Sequence, residues 1–289
     1  MSGPSVTATC VAALRAAYTC APPPLAIVDD PFAKRLIPRP LARIASAMGA
    51  GPKVGWLLHR SLALISADLS TNLPLRTAAI DDVLRDLVKG GPKQLVLLGS
   101  GLDARAWRMG ELASCSMFEL DRPGAHAVKL SRLAGFPHRP RRHRLVPIDF
   151  ERQEISEVLS QAGFRYDQPT IWLWEAVMVY LTPEAIAKAL DGIASLSAPG
   201  SALLATYTTP NLGQGSRPSA HWRLAAWGVG ESVAGEMTPE ALHEALARRE
   251  FEVVSDETAS DWAARYWPAS ERQRARGWER LVVARRLAS

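Results

Sequence analysis

The chain has 289 residues, 47% of them hydrophobic, and 34 Lys and Arg against 29 Asp and Glu give it a formal charge of +5. That length can bury a large core as one α/β domain with additions. The lack of an apolar span, and of a basic apolar leader at Met1-Ser2-Gly3-Pro4-Ser5, argues against membrane association and makes the cytoplasm the expected location. Cys10, Cys20 and Cys115 have no metal-ligand spacing, and the densest basic stretch, Arg139 to Arg144, has no interleaved aromatics to stack on bases, so neither a metal nor a nucleic acid is expected.

In chain order, residues 1–90 read as helices broken by Pro22-Pro23-Pro24 and by Pro38 and Pro40, since proline removes a donor and restricts φ; this part is expected to be a lid. From 91 to 208, apolar runs at 94–100, 115–121, 143–149, 169–177 and 200–208 alternate with amphipathic segments, the pattern of a parallel sheet with right-handed crossovers. Thr182-Pro183-Glu184 and Thr238-Pro239-Glu240 each supply a cap, a first-turn proline and an early acid for a helix. Residues 209–237, rich in Gly, Ser and Pro and carrying His221, Trp222 and Trp227, read as a cap inserted after the fifth strand. Residues 238–289 add two strands, around Phe251-Glu252-Val253-Val254 and Arg280 to Arg285, and a helix. The whole is expected to be one domain.

The chemistry is densest between Gln94 and Asp121. A non-alternating run, Gln94-Leu95-Val96-Leu97-Leu98, fits a strand buried on both faces and leads into Gly99-Ser100-Gly101-Leu102-Asp103-Ala104, where two glycines let the backbone approach a ligand. The next strand ends Phe118-Glu119-Leu120-Asp121, and a carboxylate at such an end can accept from both hydroxyls of a ribose. Formally this is also the fingerprint of a dinucleotide site, so NAD stays an alternative. Two observations lean away from NAD: the glycine turn does not open the chain, and two further strand ends, at Asp149 and Glu175, finish in acid. Acids at three strand ends suit a cationic, hydroxyl-rich ligand without phosphate, such as S-adenosylmethionine.

Three segments resemble the leucine carboxyl methyltransferase family, which includes bacterial polyketide carboxyl O-methyltransferases: Leu98 to Arg108, Phe118 to Asp121, and Trp174-Glu175-Ala176-Val177-Met178-Val179-Tyr180-Leu181-Thr182-Pro183-Glu184. Asp29-Asp30-Pro31-Phe32-Ala33 and Leu75-Arg76-Thr77 are similar to further family stretches upstream, and no motif matches in the C-terminal third. The resemblance implies a Rossmann-like class I methyltransferase with a seven-stranded, mostly parallel sheet whose last strand is antiparallel. It also implies roles: Gly99 and Gly101 along the methionine moiety, Asp121 at the ribose rather than Glu119, Glu175 near the ammonium, and Arg76 on the carboxylate with help from Arg15. From the residues themselves, Asp149 and Phe150 are expected at the adenine. Trp172 and Trp174 read as packing.

The acceptor is constrained by acidity. A carboxylate, with a pKa of about 4, is ionised at neutral pH and needs no general base, whereas a phenol at about 10 normally does. The site motifs contain no His-Asp or His-Glu pairing, so methylation of a carboxylate on a small, aromatic or polyketide metabolite is favoured over phenol methylation. Tyr180 and His221 are the candidate acceptor-facing residues, while a fold kept only as a binding module is the non-enzymatic alternative.

Overall fold

The computed structural model describes residues 5–65, 69–91, 93–150, 152–210, 234–275 and 277–287. Seven strands, β1 (Gln94–Leu98), β2 (Ser116–Asp121), β3 (Arg142–Pro147), β4 (Thr170–Trp174), β5 (Ala202–Thr208), β6 (Phe251–Thr258) and β7 (Glu279–Arg286), form one sheet in the order β3-β2-β1-β4-β5-β7-β6. Strands β1 to β5 pair in parallel, and β7 runs antiparallel to both β5 and β6. This is the mixed, mostly parallel α/β sheet expected. The strands after which the site is built are shorter than their apolar runs. β1 stops at Leu98 and β4 at Trp174 because Gly99 (φ +69) and Ala176 (φ +56) turn the chain into left-handed backbone.

Strand residues alternate between faces, so a strand covered on both sides must be apolar throughout. Leu95, Leu97, Ile171 and Leu173 pack into one core layer with Leu75, Ala79, Ile80 and Leu84. Val96, Leu98, Trp172 and Trp174 enter the opposite layer with Ile186, Leu190 and Ile193. The edge strand β3 carries exposed Arg142 and Arg144, a charged edge that resists pairing with another chain, so the basic stretch runs into the strand.

Among the described residues four α-helices precede the sheet: α1 (Val6–Thr19), α2 (Arg39–Ala47), α3 (Pro52–Ile65) and α4 (Leu69–Lys89). Ser5 caps α1 by accepting from the Ala8 N–H at 3.0 Å. Pro38 and Pro40, expected as breaks, instead start α2, because the first helical turn has no use for the missing donors. Thr182 caps the Pro183–Ser195 helix and Thr238 the Pro239–Ala247 helix, each accepting an amide at 3.2 Å. Of the expected cap, the described end returns along the site: Ala234 and Gly235 donate to the Val179 carbonyl, and Met237 to that of Thr208. Among the described residues no helix is long and apolar enough to cross a membrane.

Candidate cofactor and acceptor site

β1 and β4 are neighbours, but the chain leaves them for opposite halves of the sheet, which opens a crevice at their C-terminal ends. Gly99 and Gly101 line it in left-handed backbone, with φ +69 and +46. A Cβ on Gly99 would overlap Val177 Cγ2, so the turn after β4 packs closely on this position. A Cβ on Gly101 would lie 3.4 Å from that of Ala8, which places α1 over the glycine loop. The Gly101 N–H donates to Asp121 Oδ2 at 2.5 Å, and the Arg122 N–H to Oδ1 at 2.6 Å, so the acid at the end of β2 is fixed against the loop. Glu119 is used differently. It is fully buried between Lys129 Nζ and His143 Nε2 (2.8 Å), and although burial pushes its carboxyl up, these two partners hold it below the ordinary range.

At the end of β4 the acids meet arginines. Glu175 Oε1 accepts from Arg76 Nε at 3.0 Å, and Oε2 from Arg105 Nη1 at 2.7 Å. Arg76 Nη1 also donates to Glu279 Oε1 at the start of β7, and Arg105 continues to Asp103 and, at 2.7 Å, to Asp81. Arg108 grips Asp81 with two bonds of 2.6 and 2.8 Å. Buried charges are tolerable only when paired, and here every member is. Burial pushes the Glu175 carboxyl up, but the guanidiniums of Arg105 and Arg76 outweigh it and keep the group ionised. Asp103 is likewise held below the usual carboxylate range, against the same burial penalty, by Arg105, Arg15, Lys129 and Arg108. Sequence reasoning missed Asp81, Arg105 and Glu279 as site residues. Arg105 lay inside a recognised motif, whereas Glu279 opens a strand about which nothing local signals a partner on α4.

The other expected residues are distributed around this centre. Arg15, expected beside Arg76, donates from Nε to Asp30 at 2.9 Å and from Nη2 to the Leu102 carbonyl at 2.5 Å, tying α1 to the glycine loop. Asp149 follows β3 at the mouth, half-exposed, with its N–H bonded to Gln153 Oε1 at 3.0 Å; Phe150 packs partly buried on the core. Tyr180, Thr206, Thr208 and Trp278 line a small cavity together with Arg76 and Glu279, below α1 residues Thr7 and Val11. Ala176 holds its strained conformation by donating its N–H to Thr206 Oγ1 at 2.7 Å. His221, Trp222 and Trp227 lie outside the described residues.

The residues fit S-adenosylmethionine on structural grounds. Nη2 of Arg76 and of Arg105 and Oε2 of Glu279 are buried without a hydrogen-bond partner among the described residues, which leaves donors and an acceptor for a charged ligand, while Asp121 stands at the mouth for a diol. A methyltransferase-type protein from Thermobifida fusca superposes over 99% of this chain and 96% of its own with a TM-score of 0.63 at 16% identity, and a DUF574 family protein from Streptomyces avermitilis over 81% and 91% with a TM-score of 0.57 at 13% identity. These likenesses show a Rossmann-like α/β fold, and the family and relatives that follow make the chain an S-adenosylmethionine-dependent methyltransferase. The leucine carboxyl methyltransferase family profile matches residues 8–194, and the chain belongs to that family. Proteins assigned as S-adenosyl-L-methionine-dependent methyltransferases from Mycolicibacterium vanbaalenii and Mycobacterium avium are 37% identical over 208 residues and 36% identical over 232. These matches cover 71% and 78% of this chain, and 67% and 73% of the relatives' own lengths.

Proposed function

We propose that this methyltransferase esterifies a carboxylate of a small, aromatic or polyketide-type acid, and that residues 1–90 and 209–237 serve as lid and cap over a one-domain catalytic core. The observation that carries the acceptor assignment is the lining of the cavity next to Glu175: among its described residues there is no histidine or lysine to act as a base. Tyr207 lines it too, but burial and the adjacent Asp256 push its hydroxyl well above the usual phenol range and keep it protonated. An acceptor that is already an anion needs none of these groups.

Bound S-adenosylmethionine supplies a methyl on a sulfonium, and transfer forms an O–CH3 bond as S–CH3 breaks, giving an ester and a neutral thioether. The chain's part is to hold the reacting atoms in line and exclude water. In this reading Asp121 takes the ribose, Asp149 and Phe150 the adenine, and the Gly99–Gly101 backbone the methionine chain. Arg76, with Nη2 free, takes its carboxylate. Arg15 acts one step away, by pinning α1 over the loop, and Tyr180 faces the acceptor.

Calorimetry with S-adenosylmethionine, S-adenosylhomocysteine and NAD tests the class: heat with the first two and none with NAD is expected, and binding of NAD alone refutes it. A panel of aromatic acids then tests the acceptor by mass spectrometry. The expected product gains one methyl and releases methanol in mild base. A base-stable product is an ether and would replace the carboxylate by a phenol or alcohol.

A further inference from the structure

Nη2 of Arg76 and of Arg105, the two arginines that bond Glu175, and Oε2 of Glu279, which bonds Arg76, are buried without a hydrogen-bond partner among the described residues, as is Nε of Arg108 further along the same network. A ligand that brings a carboxylate to the donors and a cation to the acceptor gives these atoms the partners they lack. An α-amino-acid zwitterion carries both on one carbon.

We propose that Glu279, the first residue of β7, binds the α-ammonium of the cofactor's amino-acid end while Arg76 holds its α-carboxylate; this rests on the S-adenosylmethionine reading of the site. Glu175, the acid expected near the ammonium, already gives one oxygen to Arg76 Nε at 3.0 Å and the other to Arg105 Nη1 at 2.7 Å. Glu279 gives only Oε1, to Arg76, and keeps Oε2 in reserve. Because Arg76 bonds both acids, it sets the carboxylate and ammonium sites side by side. β7 thereby becomes part of the cofactor site, although it lies beyond β5 from the glycine loop.

The probes are S-adenosylhomocysteine and its analogue lacking the amino group, titrated calorimetrically into the full chain, with thermal melts reporting the fold. Wild type should prefer the amino-bearing ligand by about tenfold or more. Glu279→Gln keeps an oxygen for Arg76 but removes the charge, and should abolish the preference by weakening S-adenosylhomocysteine alone. If that variant does not fold, Glu279→Asp carries the comparison: its carboxylate is withdrawn by one methylene and the preference should shrink. A preference unchanged in the folded variant, equal weakening of both ligands, or a preference lost in Glu175→Gln but kept in Glu279→Gln would each overturn the proposal. Wild type binding neither ligand would refute the methyltransferase reading itself, a separate result.

Discussion

Arg105 is the most heavily committed side chain of the site, bonding Asp81, Asp103 and Glu175 from a nearly inaccessible position. Removing one partner of a buried ion pair is costly because the other charge is left without compensation, by about 3–5 kcal/mol. Arg105→Met should lower stability by about that amount in urea unfolding, and Arg105→Lys, which brings a single ammonium to three acids, should recover only part of it. A loss below about 1 kcal/mol would mean that the acids find other partners or take up protons. Asp121 offers a contrast. Its bonds are to two main-chain amides at the mouth, so its substitution bears on ligand binding more than on the core.

The turns after β1 and β4 act as one unit, since Gly99 leaves room for Val177 and both turns use left-handed backbone. Gly99→Ala should cost about 1–3 kcal/mol from overpacking, plus about 1 kcal/mol from the positive φ. Trimming the opposing side chain separates the two. In Gly99→Ala with Val177→Ala the overpacking part should disappear and the backbone part remain, a non-additivity that a double-mutant cycle in chemical denaturation measures. Strict additivity would show that the two turns do not touch. At this scale the sequence was legible where spacing carries the signal: the strands, the glycine turn and both threonine caps follow from local pattern. The start of β7 was not legible as site, because Glu279 and Arg76 are brought together only by the antiparallel return of β7 beside β5.

The pH dependence of stability belongs to the whole molecule. Burial pushes His59 and His126 below their ordinary value of 6.5, so the folded state prefers both neutral. Below about pH 6.5 the unfolded chain binds protons that the fold refuses, and stability falls as pH drops. For Asp81, Asp103, Glu119 and Glu175 the pairing with cations wins over burial and lowers the folded value. Their stabilisation is present above the unfolded carboxylate range and is lost as pH falls through the depressed values. The melting temperature should be flat near pH 7–8, decline from about pH 6.5, and drop steeply below about pH 4. His126 has both ring nitrogens buried without a partner among the described residues. His126→Leu should therefore raise the melting temperature more at about pH 5 than at about pH 8, and an equal change at both would show that His126 does not titrate with folding.

Local order alone determined the parallel strands and helix caps and marked the candidate cofactor site, while the antiparallel last strand was implied only by the family resemblance. Strands buried on both faces leave non-alternating apolar runs, positive φ leaves glycines, and caps leave threonine before proline, so each can be read within a few residues of itself. Asp121, Asp149 and Glu175 were visible for the same reason, standing at the ends of runs that the sheet aligns. Which charges meet was decided by tertiary structure. Two acids lie two residues apart on β2, yet Glu119 is turned inward onto Lys129 and His143 while Asp121 stays at the glycine loop. Arg76 joins residues 99 and 203 positions away, Glu175 and Glu279, and no periodicity spans that distance. A hydrogen bond needs atoms within about 3 Å, and only the folded chain sets that separation for residues on different strands and helices.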